Sequence, residues 1–318
     1  MINSIGSFAA IWLTLWLLLS IVFALLYPLT RRLFNALHPR FGSTLLLYYW
    51  VAPFLVSLVS AAFLFMPSAE ILLVDSHCHQ DCQSHVPLID SVVLSWFGIV
   101  MGSLVLLSLS VRLLLNIRRS RQLRSQFNFL SQPRGDFQAI NSPTPLVFTL
   151  GWWNPCIYMS EGMYEACSGT DLSVIMAHER AHQERRDNLR MLLARLCSAL
   201  LPRRWSGRML EDLQLMTEQA CDFRAAEKFG HVTVAETLLK VKRLLQSQPS
   251  PLPYGALAFA EREVEIRIMA LLKQEQRVFL QSWQMVLLGI TTLTLLLLMV
   301  SPLHHASEWV IALLAPVH

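Results

Sequence analysis

Four stretches of the chain read as nearly unbroken apolar runs: Phe8–Leu29, Thr44–Met66, Val92–Leu115 and Phe279–Val300. A helix needs about 20 apolar residues to cross a bilayer, and each run is long enough. None carries an acidic or basic residue at its centre. Arg112 lies near the end of the third run, where a long side chain can reach the polar interface. No Lys or Arg precedes the first run and no small-residue cleavage site follows it, so it reads as a span rather than a cleaved leader.

Between the third and fourth runs, polar and apolar positions alternate with mixed periods over about 160 residues, enough for one domain with its own core. A basic helix is expected over Ile117–Leu130. Two β-prone pieces, Leu146–Leu150 and Cys156–Met159, are separated by Asn154–Pro155 and preceded by Pro145, which predicts a small β element at an edge. Helices follow. Asp171 can cap one that runs through His182. Asp187 or Asn188 starts another, Leu189–Leu201, which Pro202 ends. Gly207–Phe229 stops at Gly230, and Val232–Gln246 and Ala260–Gln276 flank a loop marked by Pro249, Pro251 and Pro253. The Leu189–Leu201 helix is apolar on more than one face, which places it in a core or against the spans. The expected fold is mainly α: three transmembrane helices before, and one after, a helical domain with a small β element. The division is 1–116 membrane region, 117–278 helical domain, 279–300 fourth span and 301–318 tail.

Charge sharpens the membrane assignment. Only 15% of residues are charged, against roughly 25% in soluble domains. The net charge of +4 is unevenly placed. Arg31, Arg32 and Arg40 follow the first run, and Arg118, Arg119, Arg121 and Arg124 follow the third. The Pro67–Asp90 loop and the tail after the fourth run hold no Lys or Arg. By the positive-inside rule the 117–278 domain faces the cytosol and both termini lie outside the cytoplasmic membrane. Membrane lipid and loop orientation account for the basic cluster, so no nucleic-acid partner is expected.

The chemistry is concentrated in His178-Glu179-Arg180-Ala181-His182, an HExxH motif on a predicted helix. Side chains four apart share a helix face, so both imidazoles can reach one zinc ion. Glu179 then points at the fourth coordination position, where it can take a proton from water and later deliver it to the leaving amine. HExxH arises by chance in roughly one per cent of chains of such composition, so a third ligand is needed. Glu218 and Asp222, again four apart on a predicted helix, offer it: Glu218 as third ligand, Asp222 as acceptor of the outer N–H of His178. The alternative is a solvated helix face shared with Arg224; HExxH upstream favours the metal reading. His231, Tyr254 and Arg224 are the right types to stabilise an oxyanion.

These residues resemble the BlaR/MecR-type membrane metalloproteases. The resemblance rests on His178–His182, Arg186-Asp187-Asn188, Glu218-x-x-Cys221-Asp222, the run Pro155–Gly162 and the helix Glu263–Ile268. It implies His178, His182 and Glu218 as zinc ligands and Glu179 as general base of a gluzincin-like endopeptidase, with residues 117–278 as a zincin-like metalloprotease domain on the cytosolic side of a bacterial inner membrane. It also implies that Cys156, Ile157, Tyr158, Met159 and Ser160 form an edge strand that holds extended substrate. The function implied is signalling: an external signal releases cleavage of a cytosolic repressor or regulator, and of the chain itself. The match is to the membrane and protease half only. The 18 residues Ser301–His318 contain no Ser-x-x-Lys, so no penicillin-binding sensor is expected here, and a signal must enter through the outer loop, the spans, the tail or a partner protein. Two other readings are an HtpX-type quality-control protease, whose two-plus-two span order differs, and a non-catalytic sensor or scaffold with structural zinc, for which Glu179 would be superfluous.

The loop between the second and third runs holds His77, Cys78, His79, Cys82 and His85. Facing an oxidising compartment, Cys78 and Cys82 can form a disulfide; the five together can instead bind zinc or copper, or serve neither purpose. Cys156, Cys167, Cys197 and Cys221 are expected to be small buried apolar residues. The tail segment Ala306–Leu314, with Trp309, can lie in the outer interface.

Overall fold

The computed structural model describes residues 2–66, 91–246 and 254–273, with a few isolated positions beyond. The fourth apolar run, the outer Cys/His loop, the proline-rich loop and the tail lie outside the described residues.

Three helices are long and apolar enough to cross a membrane: α1 (Ile2–Ala36), α2 (Pro39–Leu64) and α3 (Val92–Leu130). The expected basic helix is the direct continuation of the third run, so α3 projects well beyond its apolar part. Pro39 opens α2 at a position where its missing N–H costs nothing, and Ser91 caps α3 by accepting the Leu94 N–H. Small residues bring α1 and α3 together. A Cβ on Gly6 would lie 2.4 Å from Ser95 O, and one on Gly98 2.4 Å from Gly6 O. Close backbone approach at small residues is the usual way helices pack in lipid, where apolar side chains gain nothing by avoiding the solvent. Trp12, Trp16 and Phe54 fill the α1–α2 seam. Outward faces carry Leu18, Val93, Phe97 and Leu107, all exposed.

A four-stranded sheet follows, in order β1-β2-β4-β3. Strands β1 (Ser131–Arg134) and β2 (Phe137–Ile140) form a hairpin whose turn uses Gly135 at φ +62°. Strand β4 (Cys156–Ser160) pairs parallel with β2 and antiparallel with β3 (Val147–Leu150). This corrects the expectation for Cys156–Ser160. Its pairing with β2 at Tyr158–Ser160 and with β3 at Cys156–Met159 makes it an interior strand, and Ile157, Tyr158, Met159 and Ser160 are buried. The edge is β3.

Six helices complete the described chain: α4 (Glu161–Ala166), α5 (Gly169–Arg185), α6 (Asp187–Cys197), α7 (Arg203–Phe229), α8 (His231–Gln246) and α9 (Tyr254–Leu272). Asp171 is not the cap of α5. Ser168 is, and Asp171 sits three residues in and returns a bond to the Ser168 N–H, closing a capping box. Arg186 links α5 to α6 in the left-handed conformation, φ 53° and ψ 47°. One core cluster lies among α5, α7, α8 and α9 around Val174, Phe223, Val234 and Leu271. Another is shared with the membrane helices: Tyr27, Leu46 and Trp50 pack against Ala194, Met209, Leu213 and Met216. Helix α6 therefore lies against α2, as its apolar faces suggested.

Candidate active site

Helix α5 supplies His178 and His182 from one face, and α7, packed across it, supplies Glu218. The two Nε2 atoms stand 3.1 Å apart. Glu218 Oε2 is 3.4 Å from His178 Nε2, and its Oε1 is 3.5 Å from His182 Nε2. A tetrahedral ion with bonds of about 2.0–2.1 Å holds its ligand atoms roughly 3.3 Å from one another. The triangle therefore has the size a metal ion requires, and these three residues can hold one.

The outer sides of both rings are set by carboxylates. His182 Nδ1 lies 2.9 Å from Asp187 Oδ2. His178 Nδ1 lies 3.0 Å from Asp222 Oδ1, close but off the line of a straight N–H···O bond. Carboxylates there favour the proton on Nδ1 and leave the Nε2 lone pairs for a cation. Asp222 is the acceptor the sequence predicts for His178; Asp187, which serves His182, stands in the sequence as a helix start and as part of the Arg186–Asn188 motif.

The residue that sequence reasoning missed is Arg267, on α9. It grips both oxygens of Asp222 at 2.7 Å and its Nη1 is 3.1 Å from Glu218 Oε2. Burial works against charge on Glu218 and Asp222, but Arg267 outweighs it and holds both below the ordinary carboxylate range. Burial likewise opposes the Arg267 charge, and the two carboxylates overcome it. Burial also opposes charge on the histidines, yet the carboxylates beside them raise both pKa values: Asp222 and Glu218 for His178, Asp187 and Glu218 for His182. Without metal the site attracts protons, so metal and proton compete for it. The only earlier signal for Arg267 was its membership of the Glu263–Ile268 helix that carried part of the resemblance.

Glu179 is buried and opens on the same cavity of about 400 Å³. Thr149 on β3 donates to Glu179 Oε2 at 2.7 Å, so the edge strand and the carboxylate are fixed together. The Leu146 carbonyl accepts from Ser160 N–H, which turns the polar groups of Val147 and Thr149 away from β4. Asn188 Nδ2 reaches two such outward acceptors, Thr149 O at 2.9 Å and Gly151 O at 3.2 Å. The cavity wall is otherwise largely apolar, with Val174, Val234, Leu238 and Val264.

Of the oxyanion candidates, His231 and Arg224 are not brought in. His231 packs its ring on Phe223, and Arg224 is exposed and paired with Glu227. The Tyr254 side chain lies outside the described residues. Cys156, Cys167 and Cys197 are half-buried rather than buried; Cys221 is buried, 3.4 Å from His182 Nδ1. Burial pushes its thiol up to about 11.

A histidine–histidine–glutamate triangle at the end of a bundle of apolar helices, with a carboxylate beside it, defines the membrane metallopeptidases. Comparison with protein families makes this specific: the BlaR1 peptidase M56 family model matches residues 7–271, and the chain belongs to that family. No curated protein and no solved structure matches it.

Proposed function

We propose that the chain is a zinc endopeptidase of regulated proteolysis, with His178, His182 and Glu218 as ligands and Glu179 as general base. The observation that carries this reading is the 3.1–3.5 Å triangle of ligand atoms opening, with Glu179, on one cavity. Bound zinc would polarise the scissile carbonyl and acidify a water. Glu179 takes a proton as that water attacks the carbonyl carbon. As the C–N bond breaks, Glu179 passes the proton to the leaving amine. The outward groups of β3 at Val147 offer the pairing edge for an extended substrate, the role first expected of Cys156–Ser160.

The basic ends of the membrane helices support a cytosolic placement of the site. Arg31 at the end of α1 bonds Asp212 of α7, and Arg124 on the α3 extension contacts Cys156 of β4. Arg31 and Arg124, two of the arginines that mark the inner side, thus lie against the peptidase. A protease in that position fits cleavage of a cytosolic repressor or regulator, and of the chain itself, in response to an external signal.

The test is to purify the chain in detergent beside Glu179→Ala, measure bound metal by elemental analysis, and follow self-cleavage and cleavage of an unfolded reporter. Zinc in both proteins with cleavage only in the parent is the expected result. A parent that takes up no zinc after chelator-free purification and add-back would overturn the reading.

A further inference from the structure

Arg185, Asp187 and Arg190, at and just after the end of the HExxH helix, tie it to α2. Arg186 stands in a backbone conformation that residues with side chains rarely adopt. The reversal it makes carries Asp187 back to His182 Nδ1, at 2.9 Å. Asp187 is 8% exposed, and two guanidinium groups share its carboxylate. Arg185 Nε is 3.2 and 3.3 Å from its two oxygens, and Arg190 Nη1 is 3.5 Å from Oδ1.

Both arginines then reach α2. Arg185 Nη2 donates to Ser43 Oγ at 2.8 Å, and Arg190 Nη2 to Thr44 Oγ1 at 3.1 Å. Ser43 is itself buried, and the Ser43 and Thr44 hydroxyls both donate to the Arg40 carbonyl. Two guanidinium groups held against one carboxylate are uncomfortable: burial first, and the charge of Arg185 second, pull the Arg190 pKa down to about 10. Such a cluster keeps its geometry only while every donor has its acceptor. His178 is served differently. Its carboxylate, Asp222, is braced by Arg267 of α9. Among the described residues, His182 is the ligand histidine that this hydrogen-bonded chain connects to α2.

We propose that Asp187 is a positioning residue for His182, and that the inner end of the second membrane helix sets that position through Arg185–Ser43 and Arg190–Thr44. The inference rests on the metal reading of the triangle. Its consequence is that a shift of α2 at Ser43 and Thr44 reorients a metal ligand about two side-chain lengths away, without any change in the ligands themselves. This gives the state of the membrane helices a physical route to the metal.

The experiment uses the full chain in detergent: the parent, Asp187→Asn, the pair Ser43→Ala/Thr44→Val, and all three together. The readouts are metal affinity by competition with a chromogenic chelator, the visible spectrum of the cobalt-loaded protein, and thermal melting of the metal-free protein. Asp187→Asn is expected to weaken metal binding about 10- to 100-fold, the usual effect of losing such a carboxylate, and to shift the cobalt bands. The hydroxyl pair, which removes two oxygens outside the metal site, is expected to weaken binding by several-fold with melting little changed. The triple variant should bind no more weakly than Asp187→Asn alone, because one chain of bonds can be broken only once. Parent affinity and an unshifted cobalt spectrum in Asp187→Asn would overturn the positioning role. Unchanged affinity in the hydroxyl pair, or full additivity in the triple variant, would overturn the link to α2. A parent that binds no metal would instead overturn the zinc reading, before any variant is compared.

Discussion

Glu179 does its proposed work with one oxygen already fixed by Thr149 at 2.7 Å, so the carboxylate plane is set before substrate arrives. Glu179→Gln keeps the shape and removes the base. It is expected to retain metal and to lose about 10²- to 10⁴-fold in kcat, measured on a reporter peptide. Arg267 is a different case, because it neutralises two buried carboxylates at once. Arg267→Met leaves Asp222, 1% exposed, and Glu218 without their cation. Breaking one side of a buried ion pair costs about 3–5 kcal/mol, so the metal-free protein should unfold at markedly lower denaturant, followed by tryptophan fluorescence. An unchanged midpoint would mean that the pair is not sequestered from water. Arg186 offers the opposite sign. A left-handed residue with a Cβ is strained by about 1–2 kcal/mol, and glycine gives back part of the relief as chain entropy, so Arg186→Gly should stabilise by about 0.5–1 kcal/mol in the same assay.

Helix α5 carries the two histidines, and its start is a capping box tied to α8. Ser168 and Asp171 bond reciprocally, and Lys240 Nζ lies 2.6 Å from Asp171. Burial acts to raise the Asp171 pKa, but Lys240 and Ser168 outweigh it and bring it down to about 2, from an ordinary 3.8. The sign follows from that direction. A carboxylate depressed in the folded state adds stability that is complete above its unfolded pKa and is lost as pH falls through the folded one. Asp171→Asn should therefore lower the melting temperature at neutral pH by the equivalent of about 1 kcal/mol, with the gap to the parent closing between pH 4 and pH 2. A gap independent of pH would show that the box acts through shape alone. The elements themselves were largely legible in the sequence. The helix end at Gly230, and strands at Val147–Leu150 and Cys156–Ser160, follow from local chemistry, whereas α6 ends at Cys197, ahead of the stop expected at Pro202. The hairpin Ser131–Ile140 was missed because each strand has only four residues and the first includes Pro133. Strand order was out of reach for another reason. Which strand is the edge depends on β2 reaching β4 across the intervening β3, and nothing in the Cys156–Ser160 pattern reports it. The site shows the same division. His178 and His182 share one helix face, and Glu218 and Asp222 another, by spacing that can be read off the chain. The Arg267–Asp222 pair joins residues 45 apart and has no local signature.

At the scale of the whole molecule, the peptidase helices and the membrane helices are not two bodies joined by a linker. Tyr27, Leu46 and Trp50 share one core with Ala194, Met209, Leu213 and Met216. Inside that contact the Asp212 carboxylate accepts Tyr27 Oη–H at 2.6 Å and is held by Arg31 through both oxygens, at 2.6 and 2.8 Å. Helix α7, which carries Glu218, is thereby clamped to α1 at one end and to α9 near the other. A segment comprising residues 131–273 alone would expose the apolar face around Met209, Leu213 and Met216 and leave Asp212 without its two partners. Its own clusters, around Val174 and Met159, are small. Such a fragment is expected to be aggregation-prone in size-exclusion chromatography and to melt without a sharp transition. Residues 2–273 in detergent should melt cooperatively and bind metal. A monomeric fragment with a sharp transition and the parent's metal affinity would mean that α1 and α2 add nothing to the fold of the site. The opposite result would mean that the metal ligands are ordered only when the membrane helices are in place, so that the bundle is part of the active-site scaffold rather than its anchor.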